Sequence, residues 1–108
     1  MKKYNILLAC SAGMSTSMLV TQMKKAAKDK DIDAEIAAVS SNEVKDNVES
    51  KQIDVLLLGP QVRFMKNDFV SQLEPLGIPV GVIDMMDYGA MNGPKVLDSA
   101  ISLIEGAK

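Results

Sequence analysis

The stretch that most constrains this chain runs from Ile6 to Met18, ILLACSAGMSTSM. Ile6, Leu7, Leu8 and Ala9 form an unbroken apolar run. A strand with no polar face has to be covered on both sides, which is the situation of a strand inside a parallel sheet. Cys10 comes where the run ends. Ser11, Ala12, Gly13, Ser15, Thr16 and Ser17 keep the following turn narrow, and a helix is expected to start between Met14 and Thr16. In such a turn backbone N–H groups point at a common centre. The unsatisfied N–H groups of the first helical turn add partial positive charge there. The expected result is an anion site with a sulfur nucleophile at its mouth. A field of that sign favours thiolate over thiol, the form in which cysteine attacks. The plainer role for a lone cysteine after an apolar strand is a small core residue. What argues for chemistry is its place directly before a Gly- and hydroxyl-rich loop that opens a helix.

The remainder repeats strand and helix, four times in all, as a parallel α/β sheet requires. Strand one is expected over Tyr4 to Ala9, and helix one over Ser15 to Lys28 with Met18, Leu19, Met23, Ala26 and Ala27 as its buried stripe. Lys24, Lys25, Lys28 and Lys30 crowd the C-terminal end of that helix, where they suit its dipole. Strand two, Asp33 to Val39, sets Ala34, Ile36 and Ala38 against polar Asp33 and Glu35, a pattern suited to a sheet edge. Ser40-Ser41-Asn42-Glu43 has capping-box spacing and opens a short helix that ends near Ser50. Strand three, Asp54 to Leu58, contains the second wholly apolar run and is expected at the centre. Gly59-Pro60 stops it. Helix three begins near Gln61 or Val62, buries Val62, Met65, Phe69 and Leu73, and ends at Pro75 and Gly77. Strand four is Pro79 to Ile83, with Pro79 in a first position that needs no N–H. The segment from Asp84 to Gly93 reads as the longest irregular stretch. A last helix runs from Pro94 to about Glu105 with Val96, Leu97, Ala100, Ile101 and Ile104 inward.

Two apolar strands and two more polar ones imply the sheet order 2-1-3-4. Right-handed crossovers then place helices on both faces. The expected fold class is α/β, a three-layer sandwich with a four-stranded parallel sheet, low-molecular-weight-phosphatase-like or flavodoxin-like. Strand order reverses between strands one and three, and ligands in such sheets bind at the carboxyl ends beside that reversal. Cys10, Gly59-Pro60-Gln61 and the segment after strand four meet at this edge.

With 108 residues the chain is expected to be one domain, 1–108, large enough for a real core. A net charge of −2 offers no electrostatic case for nucleic acid or an anionic membrane. One Cys permits no internal disulfide, which suits a reducing cytoplasm. Two lysines precede the first apolar stretch, but about six residues is short for the core of a signal peptide. No segment approaches the roughly 18 apolar residues of a membrane span. The chain contains no His, so a His base, a His metal site and a phosphohistidine are excluded. No metal and no cofactor are expected.

Cys10-Ser11-Ala12-Gly13-Met14-Ser15-Thr16-Ser17 resembles the phosphorylation-site loop of IIB components of the sugar phosphotransferase system, lactose/cellobiose (chitobiose) class. The resemblance extends over the chain and includes Leu58-Gly59-Pro60-Gln61-Val62. It implies that Cys10 is phosphorylated, as a phosphocysteine intermediate, by a phosphohistidine on a IIA protein. It implies passage of the group to a sugar held by a membrane IIC protein, so the membrane is met only through IIC. It also implies a cytoplasmic protein and a β-linked substrate such as cellobiose, chitobiose or another β-glucoside. A chain carrying IIB alone resembles the cellobiose/chitobiose branch more than the lactose branch, where IIB is usually fused to IIC.

Phosphoryl transfer needs an in-line nucleophile and donors for the equatorial oxygens. Cys10 is the expected nucleophile, with the amides of Ser11, Ala12, Gly13, Met14, Ser15, Thr16 and Ser17 as the cradle. Hydroxyls of Ser15, Thr16 and Ser17 serve as further donors or as helix caps. Gln61, Arg63, Asp87 and Tyr88 are candidate rim or partner contacts. Met14, Met85, Met86 and Met91 are either a shared docking surface or core filler. The competing activity is a cysteine-dependent phosphatase or arsenate-reductase-like enzyme, in which Asp84 or Asp87 is the general acid. Those enzymes need Arg six residues after the cysteine, and this chain has Thr16 there. A receiver-like binding domain is the third possibility, and it lacks a carboxylate pair at the end of strand one.

Overall fold

In the computed structural model, residues 3–10 and 14–106 are described, with side chains from residue 17 onward in the second stretch. β1 (Tyr4–Cys10), β2 (Ala34–Ser40), β3 (Val55–Leu58) and β4 (Val80–Val82) form one sheet. All neighbours are parallel and the order is β2-β1-β3-β4, as the apolar runs require. Leu8 lies between Ala38 of β2 and Leu57 of β3.

The pleat sends alternate residues to opposite faces, and each face has its own helices. Ile6, Leu8, Val55 and Leu57 pack beneath α1 (Met14–Asp29) and α5 (Gly93–Gly106), together with Leu19, Met23, Val96 and Leu97. Leu7, Ala9, Leu56 and Leu58 pack beneath α2 (Val44–Ser50) and α3 (Lys66–Leu73), together with Val44, Phe69 and Leu73. The three layers are therefore two apolar clusters divided by a sheet buried on both sides. Fully burying each of these large side chains contributes about 1.5–3 kcal/mol.

The ends of the elements follow local chemistry. Ser40 and Glu43 form the expected capping box, with the Ser40 N–H and hydroxyl donating to Glu43 Oε1 at 3.3 and 2.9 Å. A short 3₁₀ turn, Ser41–Glu43, leads into α2. A longer one, Pro60–Met65, leads into α3, because Pro60 at the first position suits a helical start. Past α3 a 3₁₀ turn, Glu74–Leu76, ends at Gly77, whose φ of 83° is left-handed and costs glycine little.

Four expectations need correction. β1 includes Cys10, which sits in register with Ser40. Met18 is 63% exposed, and Val20, at 7%, takes its place in the buried stripe of α1. At 100° per residue Leu19, Val20, Met23, Ala26 and Ala27 share one face, while Met18 falls to its side. β4 is confined to Val80–Val82, with Pro79 contributing only a carbonyl that accepts from Leu56 N at 3.0 Å. The segment after β4 is not irregular: it contains α4 (Met85–Gly89). Asp84 caps this helix, its Oδ1 accepting from Met86 N at 2.9 Å and Asp87 N at 3.2 Å. With only five residues, α4 is too short to show a hydrophobic period.

Candidate active site

The carboxyl ends of β1 and β3 lie side by side, and Cys10 stands at the first of them. Ala9 is in register with Leu58, and Gly59 N donates back to Ala9 O at 2.8 Å. Ile83 N donates to Leu58 O at 2.8 Å, which ties the segment after β4 to the same edge. A Cβ placed on Gly59 would be 3.3 Å from Cys10 Cβ and 2.9 Å from Gln61 Oε1. The glycine thus marks a close approach of the chain after β3 to the cysteine. Its φ of −63° and ψ of 153° are open to any residue, so proximity and not conformation is what it supplies.

Cys10 is buried, at 2% exposure. The expected phosphate cradle falls largely outside the described residues: Ser11, Ala12 and Gly13 are outside entirely, as are the side chains of Met14, Ser15 and Thr16. The backbone from Met14 is helical, so α1 begins where the sequence places the start of helix one. Ser17 is exposed on its first turns, and its carbonyl accepts from Thr21 Oγ1 at 3.2 Å.

Of the rim residues, Gln61, Arg63 and Tyr88 are brought together. They line a shallow groove of about 340 Å³ with Pro60, Met85 and Gly89, between the 3₁₀ turn after β3 and α4. Gln61 and Arg63 are exposed and Tyr88 is buried, at 8%. Asp87 does not join that lining. It too is 8% exposed, its carboxylate is 3.6 Å from Lys95 Nζ, and its carbonyl accepts from Asn92 N. With Asp84 engaged in capping α4, both candidate acids of a phosphatase have structural work. Met85 and Met86 are exposed at 62% and 82%, whereas Met91 packs against the α1–α5 cluster. Phe64, which sequence reasoning passed over, is 78% exposed beside Arg63. Its position in a 3₁₀ turn, off the helical period, is why no pattern identified it. A larger concavity, about 780 Å³, lies at the amino ends of β1 and β2, lined by Lys3, Asn5 and Lys51 among others. It is at the opposite end of the strands from Cys10.

The family profile described as PTS system, Lactose/Cellobiose specific IIB subunit, matches residues 5–99. The chain belongs to that family. Relatives match it over nearly their full length. This IIB chain is 50% identical over 102 residues to the PTS system cellobiose-specific EIIB component of Lactococcus lactis subsp. lactis, covering 92% of this chain and 94% of the other. It is 49% identical to the galactose-specific EIIB component of Lactococcus lactis subsp. cremoris, at the same coverage. It is 45% identical to the oligo-beta-mannoside-specific EIIB component of Bacillus subtilis, covering 96% of this chain and 97% of the other. Among solved structures, the cellobiose-specific phosphotransferase IIB component protein of Borrelia burgdorferi superposes with a TM-score of 0.80 at 45% identity, covering 99% of this chain and 96% of that one. The lactose-specific IIB component domain of Streptococcus pneumoniae, 19% identical, shares the fold with a TM-score of 0.83, covering 94% and 98%.

As a IIB component of this class, the chain serves sugar phosphotransfer. Phosphatase chemistry is not favoured, in keeping with Thr16 where such enzymes place Arg. Among the described residues no helix is long and apolar enough to cross a membrane.

Proposed function

We propose that Cys10 carries the phosphoryl group. The observation behind this is its position: the only cysteine of a IIB chain stands at the carboxyl end of β1, at the reversal of strand order, against Gly59. Thiolate sulfur attacks phosphorus of a phosphohistidine on IIA. The S–P bond forms as the P–N bond breaks, and the electron pair leaves with the imidazole, which takes up a proton. A hydroxyl oxygen of a sugar held by IIC then attacks phosphorus. The O–P bond forms, the S–P bond breaks, the hydroxyl proton passes to solvent, and the thiolate is restored. The amides of residues 11–17 hold the equatorial oxygens in both steps.

The protein works in the cytoplasm and meets the membrane through IIC. Met85 lines the groove with Gln61 and Arg63, Met86 and Phe64 are exposed next to them in sequence, and an adaptable apolar rim suits two successive partners. The sugar is a β-linked disaccharide such as cellobiose or chitobiose. The names of the cellobiose- and oligo-beta-mannoside-specific relatives support this, and that of the galactose-specific relative marks its nearest competitor.

Intact-mass measurement after incubation with phospho-IIA tests the proposal. The wild type gains one phosphoryl group and Cys10→Ser gains none. An unmodified wild type, or a Cys10→Ser variant labelled equally well, overturns it.

A further inference from the structure

Gln61 is exposed, yet its side chain folds back over Gly59. Its carboxamide oxygen is 2.9 Å from the point a Gly59 Cβ would occupy, and that point is 3.3 Å from Cys10 Cβ. The two distances together are the upper limit on the separation of the Gln61 carboxamide from Cys10 Cβ. A phosphoryl group on Sγ extends two bonds beyond the sulfur, a reach comparable with that separation.

We propose that Gln61 is a catalytic residue of the phosphoryl transfer, donating from Nε2 to a non-bridging oxygen of the group on Cys10, and that Gly59 is the gap that admits its side chain. This rests on the phosphocysteine reading above. A half-turn about the terminal torsion, open to an exposed side chain, presents Nε2 in place of Oε1. The chemistry suits a carrier. A guanidinium clamps a phosphate dianion by two charged hydrogen bonds, which resists release. A carboxamide offers one neutral donor that steadies the oxygens and lets them go. It neither gives nor takes a proton, so the bonds made and broken at phosphorus are unchanged. The open backbone angles at Gly59 sharpen the point: alanine fits there conformationally, and its methyl meets the Gln61 carboxamide first, at 2.9 Å, and Cys10 Cβ less severely, at 3.3 Å.

The experiment compares wild type, Gln61→Ala, Gln61→Glu and Gly59→Ala with phospho-IIA as donor. It reads the phosphorylation rate, the ³¹P resonance of the phosphocysteine and the melting temperature. Gln61→Ala slows phosphorylation about tenfold, the scale of one lost hydrogen bond to a charged group. It also moves the ³¹P resonance and leaves melting unchanged. Gly59→Ala reproduces both effects with Gln61 intact and adds little to them in the Gln61→Ala background, where only its contact with Cys10 remains. Gln61→Glu slows transfer further, because a carboxylate repels the dianion. A wild type labelled at Cys10, with Gln61→Ala matching it in rate and resonance, overturns the role of Gln61 and leaves the phosphocysteine standing. An unlabelled wild type overturns both.

Discussion

Cys10 is 2% exposed at the end of a strand that is buried from Ile6 onward. A core cysteine and a shielded acceptor share that burial; what separates them is whether a macromolecular donor can still deliver phosphorus to the sulfur. Small-molecule alkylation probes the shielding itself. Iodoacetamide is expected to modify Cys10 at least about tenfold more slowly in the folded protein than in denaturant, since it reaches a covered sulfur only when the surrounding rim parts. Equal rates, followed by mass spectrometry, would show an open sulfur. The same residue scale explains what sequence reasoning left open about the rim. Asp87 and Tyr88 are neighbours in sequence, yet Tyr88 lines the groove and Asp87 faces Lys95. Only the short helix that holds them decides this.

At the scale of elements, α1 and α5 approach closely at Gly93. A Cβ on Gly93 would lie 2.4 Å from Gln22 C and 2.6 Å from Gln22 O. Backbone cannot yield as a side-chain tip does, so Gly93→Ala has to push the start of α5 off α1. A destabilisation of about 1–3 kcal/mol is expected, measured by urea unfolding; an unchanged midpoint would show that the helices slide freely. The elements were legible wherever a long hydrophobic period or a cap announced them. The Ser40–Glu43 box, Gly77 and the two apolar strands are cases in point. α4 was not legible because five residues carry less than two turns, and its Asp84 cap resembles any turn aspartate.

Across the whole molecule, contacts between segments far apart in the chain close the α1–α5 face. Tyr4 on β1 donates its hydroxyl to Glu105 Oε1 on α5 at 2.7 Å, and Lys30 Nζ reaches Asp98 Oδ1 at 2.8 Å. The hydrogen bond to Glu105 raises the Tyr4 pKa above the usual tyrosine value, with smaller contributions from desolvation and from the charge of Glu105. A pKa raised by folding adds stability below the unfolded value, and that contribution fades as pH climbs through the raised one. Tyr4→Phe should therefore lose a small increment of stability near neutrality, with the gap to wild type closing in strong alkali. Thermal melts across that range check the sign; a gap that widens with pH would refute it.

By itself the sequence determined the α/β class, the strand order, the central pair and the place of Cys10. Apolar runs with no polar face can only be interior parallel strands, and a switch between them leaves one edge for a ligand. Tertiary structure alone decided which side chains surround that cysteine. Gln61 folds over Gly59, Met91 packs inward, Met85 and Met86 stay out, and Asp87 pairs with Lys95. These placements depend on how crossovers from distant parts of the chain meet at one sheet edge, and hydrophobic periodicity within a segment carries no record of a distance between segments.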